Sequence, residues 1–197
     1  MKRIIFSLIL TGALFGLNIK NAYLQSFNFE KMGNYKEAIK ALIPVYKKYT
    51  NGYIINLRLG YLFYLDKKYI NSIKHYKMAL VVAPNSVEAR LGLIKNYLAI
   101  KKYNNAIAIA QTIIKKDFYN YYGNYYLLLA LKYNNELDEA IKVAKKMLAL
   151  YPANILYLQE LAELLYKKGK KKESKKIFQT ILILDPNNIV AREYLNY

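Results

Sequence analysis

The sequence predicts an all-α fold, an α-solenoid of five 34-residue helix-turn-helix repeats followed by a short C-terminal capping helix. Three observations lead there. Cut every 34 residues from Ile19, the chain divides without a gap into 19–52, 53–86, 87–120, 121–154 and 155–188. A fixed period of this size marks a stack of small structural units. Each segment also carries two runs of apolar residues at three- and four-residue spacing, such as Ile55 to Leu65 and Tyr69 to Val82, which buries one face of a helix. Finally, the twentieth position of every segment is very small: Ala38, Ser72, Ala106, Ala140 and Ser174. A small side chain there lets two helices approach closely.

Residues 1–18 precede the repeats. Met1-Lys2-Arg3 is a positive start, and Ile4 to Leu17 is an uncharged stretch of 14 residues with small side chains at Ala13 and Gly16. This is the layout of a secretory signal peptide. As a helix it would span roughly 21 Å, short of a hydrocarbon core of about 30 Å. Cleavage and export to the periplasm or outside the cell is therefore the expectation. An uncleaved anchor in the inner membrane through residues 4–17 is the alternative. Cleavage after Gly16 would leave the first repeat intact, although Leu14 is large for its place.

Within each repeat the two helical runs are separated by a turn: Gly33-Asn34, Asp66-Lys67-Lys68, Lys101-Lys102, Asn134-Asn135 and Gly169-Lys170. Glycine and asparagine tolerate the left-handed backbone that ends a helix. The second run starts on a bulky residue in four of five segments, Tyr35, Tyr69, Tyr103 and Leu137, with Lys171 in the fifth. Ten residues later it carries Val45, Ala79, Ile113, Met147 and Ile181. Pro84, Pro152 and Pro186 end it in the second, fourth and fifth segments. Pro44 falls inside the second run of segment one, where the lost hydrogen bond costs about 3 kcal/mol, so a kink and a looser first repeat are expected. Residues 189–197 begin a sixth unit and stop. Ile189, Tyr194 and Leu195 are placed to cover the apolar end of segment five, as a solenoid end requires.

The pattern resembles the tetratricopeptide repeat family. Segment two carries the resemblance through Leu59, Gly60, Phe63, Tyr69, Ser72, Tyr76, Ala79 and Pro84. Segment five carries it through Leu161, Ala162, Leu165, Gly169, Phe178 and Pro186. Segment one departs with Gln25-Ser26, and segment three with Ile94 at a small position and Phe118 in place of proline. The resemblance implies a right-handed solenoid whose first helices line a concave groove that holds proteins. Carried residue by residue onto this chain, the groove positions are Tyr23 and Phe27; Arg58, Tyr61 and Tyr64; Leu91, Lys95 and Leu98; Tyr122, Tyr125, Tyr126, Lys132 and Tyr133; and Gln159, Glu160, Glu163 and Tyr166. Some family members grip a C-terminal carboxylate with Lys, Asn and Arg in the groove. Tyrosine, leucine and glutamate replace most of those here, so that clamp does not carry over.

Tyrosine buries a large flat surface, loses little rotamer entropy and keeps a hydroxyl for hydrogen bonding. That suits an extended peptide or an inserted helix. The densest patch is Phe118, Tyr119, Tyr121, Tyr122, Tyr125 and Tyr126, read either as a binding surface or as core at an irregular junction. Net charge is +18, from 31 basic and 13 acidic residues. Lys142, Lys145 and Lys146, Lys74 and Lys77, and seven lysines from Lys167 to Lys176 lie outside the groove. They read as a solubilising face, or as a surface for anionic membrane or polysaccharide. Arginine is scarce, which argues against nucleic acid.

The chain has no cysteine, excluding disulfides and thiol-metal sites. The single His75 is expected on an outer, solvated face. No nucleophile elbow, phosphate loop or paired metal ligands occur, so neither an enzyme nor a cofactor is expected. Glu160 and Glu163, one turn apart, read as a surface pair. The leading expectation is an exported scaffold that binds a peptide or partner subunit in the tyrosine groove, in cell-envelope assembly or secretion. Binding of an anionic surface through the lysines is the alternative, and self-association through the C-terminal end is a third reading.

Overall fold

A computed structural model describes residues 18–195. The leader expected over residues 1–18, or the anchor over 4–17, lies outside the described residues but for Asn18, as do Asn196-Tyr197. Among the described residues every regular element is a helix: α1 (18–31), α2 (Tyr35–Lys48), α3 (Tyr53–Leu65), α4 (Tyr69–Val82), α5 (Val87–Ala99), α6 (Tyr103–Ile114), α7 (Tyr121–Tyr133), α8 (Leu137–Leu150), α9 (Ile155–Lys167), α10 (Lys171–Leu184) and α11 (Ile189–Leu195). The expected fold class, all-α with tandem helical hairpins, is the one observed. The chain forms two compact units, one ending at Asn96 and one starting at Tyr97.

In the first unit α2 packs on α3 and α3 on α4. Leu42, Leu59, Leu62 and Ala38 are fully enclosed, with Ala22, Ile39, Val45 and Ile55 around them. In the second unit neighbouring helices pack in sequence from α6 to α11. Its C-terminal core gathers Leu158, Ala162, Phe178, Ile181 and Ala191.

The period of 34 has a physical cause at four positions. The first is the hairpin turn, where Gly33, Lys67, Lys101, Asn135 and Gly169 have φ of 72°, 58°, 58°, 65° and 77°. Each reverses the chain through the left-handed region, which Gly and Asn reach more cheaply than Lys. The second is the small residue of the second helix. Ala38, Ser72, Ala106 and Ala140 have no exposed surface and Ser174 only 1%. The two serines also donate to carbonyls of the facing helix, Ser72 Oγ to Gly60 O at 2.6 Å and Ser174 Oγ to Ala162 O at 2.8 Å.

The third is the residue before each first helix. Ser86, Asn120, Asn154 and Asn188 accept from the backbone N–H three residues on, at 2.8 to 3.2 Å. Helix N-termini prefer these side chains because they satisfy an otherwise orphan donor. The fourth lies four residues later. Asn56, Arg90, Asn124 and Arg192 all donate to the carbonyl six residues back, those of Thr50, Pro84, Phe118 and Pro186. These side chains staple four of the five inter-hairpin loops to the helix that follows; the loop before α9 has Leu158 at this position.

Two expectations, on His75 and on Ile189, need correction, while Pro44 lies within a continuous helix α2. Pro44 is exposed while Leu42 and Val45 beside it are buried, so the missing hydrogen bond lies on the solvent side and the core contacts survive. His75 is not solvated: it is 7% exposed, stacked on Phe63 at 5.2 Å and edge-on to Tyr46 at 5.1 Å. Its Nδ1 lies 2.9 Å from Asn56 Oδ1, and Asn56 Nδ2 donates to Thr50 O and Gly52 O, which makes Nδ1 the donor. Burial, with Lys74 adding, lowers its pKa to about 4. In the cap, Tyr194 stacks on Phe178 at 4.5 Å and Leu195 packs on the core, but Ile189 is 72% exposed. Val190 takes its covering role.

Candidate partner-binding site

Helices α1, α3 and α5 bring six of the expected groove residues together within the first unit. Tyr23, Phe27, Arg58, Tyr61, Leu91 and Lys95 line one open cavity of about 620 Å³, with Ile54, Leu57 and Gly92 between them. Residues three and four apart on α1 and α3 share a helix face, which explains how Tyr23 and Phe27, or Arg58 and Tyr61, come to point the same way. Phe27 is 46% and Tyr61 40% exposed.

The polar groups of this cavity are internally balanced. The Arg58 guanidinium lies 3.9 Å from the Phe27 ring centre and 5.8 Å from that of Tyr61. One of its nitrogens sits 2.5 Å from Glu30 Oε2, with both side chains largely buried. Arg58 is therefore a wall braced by Glu30 and two rings, and its charge is already answered. Glu88 and Lys95, at the opposite wall, add one charge of each sign. Burial raises the pKa of the Tyr23 hydroxyl, which Arg58 partly offsets, and that of Tyr61, where Glu30 adds to the effect. Both hydroxyls stay protonated and able to donate throughout the neutral range.

One cavity residue belongs to a second helix and escaped the groove assignment. Tyr76 of α4 is 6% exposed, and its ring forms the floor. The signal was present, since Gly60 and Gly92 mark places where the ring needs room. A Cβ on Gly60 would meet Tyr76 Cγ at 3.0 Å, and one on Gly92 would meet Cζ at 2.3 Å. Burial holds the Tyr76 hydroxyl well above its ordinary pKa. Tyr64 does not line the cavity; it is half-buried with its ring 5.9 Å from that of Tyr69.

The second unit holds the remaining candidates in a different arrangement. Tyr122, Tyr133 and Tyr166 are exposed at 59%, 55% and 42%. Tyr133 stacks on Tyr103 at 5.8 Å and Tyr166 meets Tyr194 edge-on at 5.0 Å. Tyr125 and Tyr126 are half-buried, 5.5 Å apart. Burial, with the charge of Glu160 next, pushes the Tyr125 hydroxyl up to about 12. The dense aromatic patch is thus divided. Tyr121 and Tyr125 pack edge-on against the fully buried Tyr157, whose hydroxyl donates to Tyr121 O at 2.8 Å. Phe118, Tyr119 and Tyr122 remain on the surface, with Lys146 Nζ 4.0 Å over the Phe118 ring.

Glu160 and Glu163 are not a surface pair. Lys132 Nζ donates to Glu160 Oε2 at 2.8 Å and to Glu163 Oε2 at 2.5 Å, and Glu160 is 6% exposed. Burial alone would lower the Lys132 pKa, but hydrogen bonds to both carboxylates outweigh it and raise it. Burial raises the Glu160 carboxyl, with Lys132 pulling it back. The triad ties α7 to α9 and leaves one uncompensated negative charge.

Comparison with known proteins agrees with this architecture. Residues 133–193 match a family model described as tetratricopeptide repeat. Among solved structures, MamA residues 41 to the end from Desulfovibrio magneticus RS-1 is 20% identical, with a TM-score of 0.77 over 87% of this chain and 97% of that one. A second crystal structure of MamA is 23% identical, with a TM-score of 0.73 over 87% and 93%. A tetratricopeptide repeat protein from Parabacteroides merdae is 16% identical, with a TM-score of 0.80 over 90% of this chain and 71% of that one. No curated protein matches the sequence. The five left-handed turns, the five enclosed small residues and the shared fold run along the chain, and residues 133–193 match the tetratricopeptide repeat family.

Proposed function

We propose that the protein is an exported interaction scaffold that holds an extended or helical segment of a partner protein on the first-helix face, with the cavity of the first unit as its principal recess. The observation that carries this reading is the convergence of Tyr23, Phe27, Arg58, Tyr61 and Lys95 on one open, aromatic-walled cavity. Nothing in its lining is arranged for bond making. Its polar groups are ring hydroxyls, the Arg58 charge braced by Glu30, and one further charge of each sign on Glu88 and Lys95, which suits recognition of shape and hydrogen bonding. Large aromatic anchors in such recesses carry most of the energy of a protein interface.

Export rests on the charge and hydropathy layout of residues 1–17, and a role in envelope assembly or secretion follows from that compartment. No described helix is long and apolar enough to cross a membrane.

The test is crosslinked capture from the envelope fraction with the full chain, comparing wild type with Phe27→Ala/Tyr61→Ala. Both rings are exposed, so the variant should fold. A discrete protein held by wild type and lost from the variant is the expected result. Because the cavity charges are balanced, capture should also survive a rise in salt that removes purely ionic contacts. Equal capture by both forms would refute the groove as the recognition site.

A further inference from the structure

The outward face of α10 combines lysines with exposed aliphatic side chains. Ser174, Phe178 and Ile181 form its buried face. Opposite, at helical spacing, lie Lys172, Lys176, Gln179 and Ile183, with Lys175 on the flank, all exposed. Ile183 is 80% exposed, and Leu184 and Ile189 beyond it are 43% and 72% exposed. Other lysines of this region are engaged: Lys168 pairs with Asp138, Lys170 with Glu173, and Lys171 lies over the Tyr166 ring. Among the described residues, Lys172, Lys175 and Lys176 form no ion pair. The first unit repeats the arrangement on α4, where Ile70 and Val81, 69% and 75% exposed, flank the exposed Lys74 and Lys77 on one face.

We propose that the outward face of α10 seats the second unit on an anionic phospholipid bilayer, with the lysines on lipid phosphates and Ile183, Leu184 and Ile189 entering the acyl boundary, and that the α4 face offers the first unit the same chemistry. Charge complementarity names the occupant: the chain carries +18 overall and these stripes hold unpaired ammonium groups. The exposed aliphatic side chains then separate a bilayer from a soluble polyanion, which offers nothing apolar to bury them in. A protein partner fits less well, because protein interfaces are depleted in lysine and enriched in arginine and aromatic residues. Lysine's long stem lets it cover apolar surface while its charge stays at the phosphate level. The surface is independent of the first-helix groove, so failure of either reading leaves the other standing.

The chain contains no tryptophan, so a single introduced indole reports its own surroundings. The probe is full-length Ile183→Trp with vesicles of phosphatidylethanolamine and phosphatidylglycerol carrying brominated acyl chains, against brominated phosphatidylcholine vesicles. The Ile183→Trp indole should shift to the blue and be quenched on the anionic vesicles only. Tyr122→Trp, on the first-helix side, should do neither. Adding Lys172→Gln, Lys175→Gln and Lys176→Gln should weaken the lipid titration on the order of 100-fold, at roughly a fivefold effect per lysine. Quenching that is absent, equal on neutral vesicles or unaffected by the lysine changes would overturn the proposal. So would a spectral change on adding polyphosphate with no quenching on vesicles, which would assign the face to a soluble polyanion.

Discussion

The Tyr76 ring lies between two helices that both present glycine to it, and this fixes the depth of the candidate recess. Any side chain at position 92 would occupy the space of the ring's outer edge, 2.3 Å from Cζ. Gly92→Ala should therefore displace Tyr76, lower stability by about 1–3 kcal/mol as overpacked sites do, and weaken partner capture. Urea denaturation alongside capture reads both, and an unchanged midpoint would contradict the packing. Lys67 and Lys101 show the opposite situation, with a long side chain held at φ 58° where sister repeats place Gly or Asn. Lys67→Gly should stabilise the first unit by about 0.5–1 kcal/mol, because relief of left-handed strain exceeds the added chain entropy. A lower melting temperature would contradict it. The buried His75 supplies a pH dependence whose sign is fixed. Its folded pKa lies below the unfolded value, so the unfolded chain binds the proton first and stability falls as pH drops from about 6.5 towards 4. The loss approaches roughly 3 kcal/mol at the acid end. His75→Gln, which retains an amide donor for Asn56, should flatten the fall over that window; an identical pH profile would place the titration elsewhere.

At the scale of helices, the most consequential polar feature is the Lys132, Glu160 and Glu163 triad. Removing the cation leaves two carboxylates facing each other in a largely enclosed place, which is where breaking a buried pair costs most. Lys132→Met should destabilise the second unit by about 3 kcal/mol, and Glu163→Gln by much less, since Glu160 still answers the ammonium. Thermal unfolding of the two variants decides this, and equal small effects would mean the triad is exchanging with solvent. Helix number, hairpin pairing and the enclosed small residues were legible in the sequence because each rests on local spacing that repeats five times. His75 and Glu160 were misplaced for a common reason. A polar residue on a helix reads as surface until its partners are known, and the partners, Asn56 and Lys132, lie on other helices. The stapling role of Asn56, Arg90, Asn124 and Arg192 was hidden because Asn and Arg look unrelated, although both donate to the same carbonyl position.

For the molecule as a whole, function follows from which face does what. The recess of the first unit presents rings and balanced charges, while α4 and α10 each present exposed lysines beside exposed aliphatic side chains. The groove residues were chosen by register alone, and Tyr23, Phe27, Arg58, Tyr61 and Lys95 among them line one cavity. It could not separate exposed Tyr122 from Tyr125 packed against Tyr157, because that difference depends on the neighbouring repeat. The most direct measurement is site-specific photocrosslinking in the intact envelope, with a benzophenone side chain at position 61 in the recess and, as reference, at position 40, where the Lys40 side chain is 76% exposed on α2. A discrete protein adduct from position 61 that is absent from position 40 and lost in Gly92→Ala is the expected result. Adducts of equal yield from both positions, or none from position 61, would contradict the recess as the site of recognition.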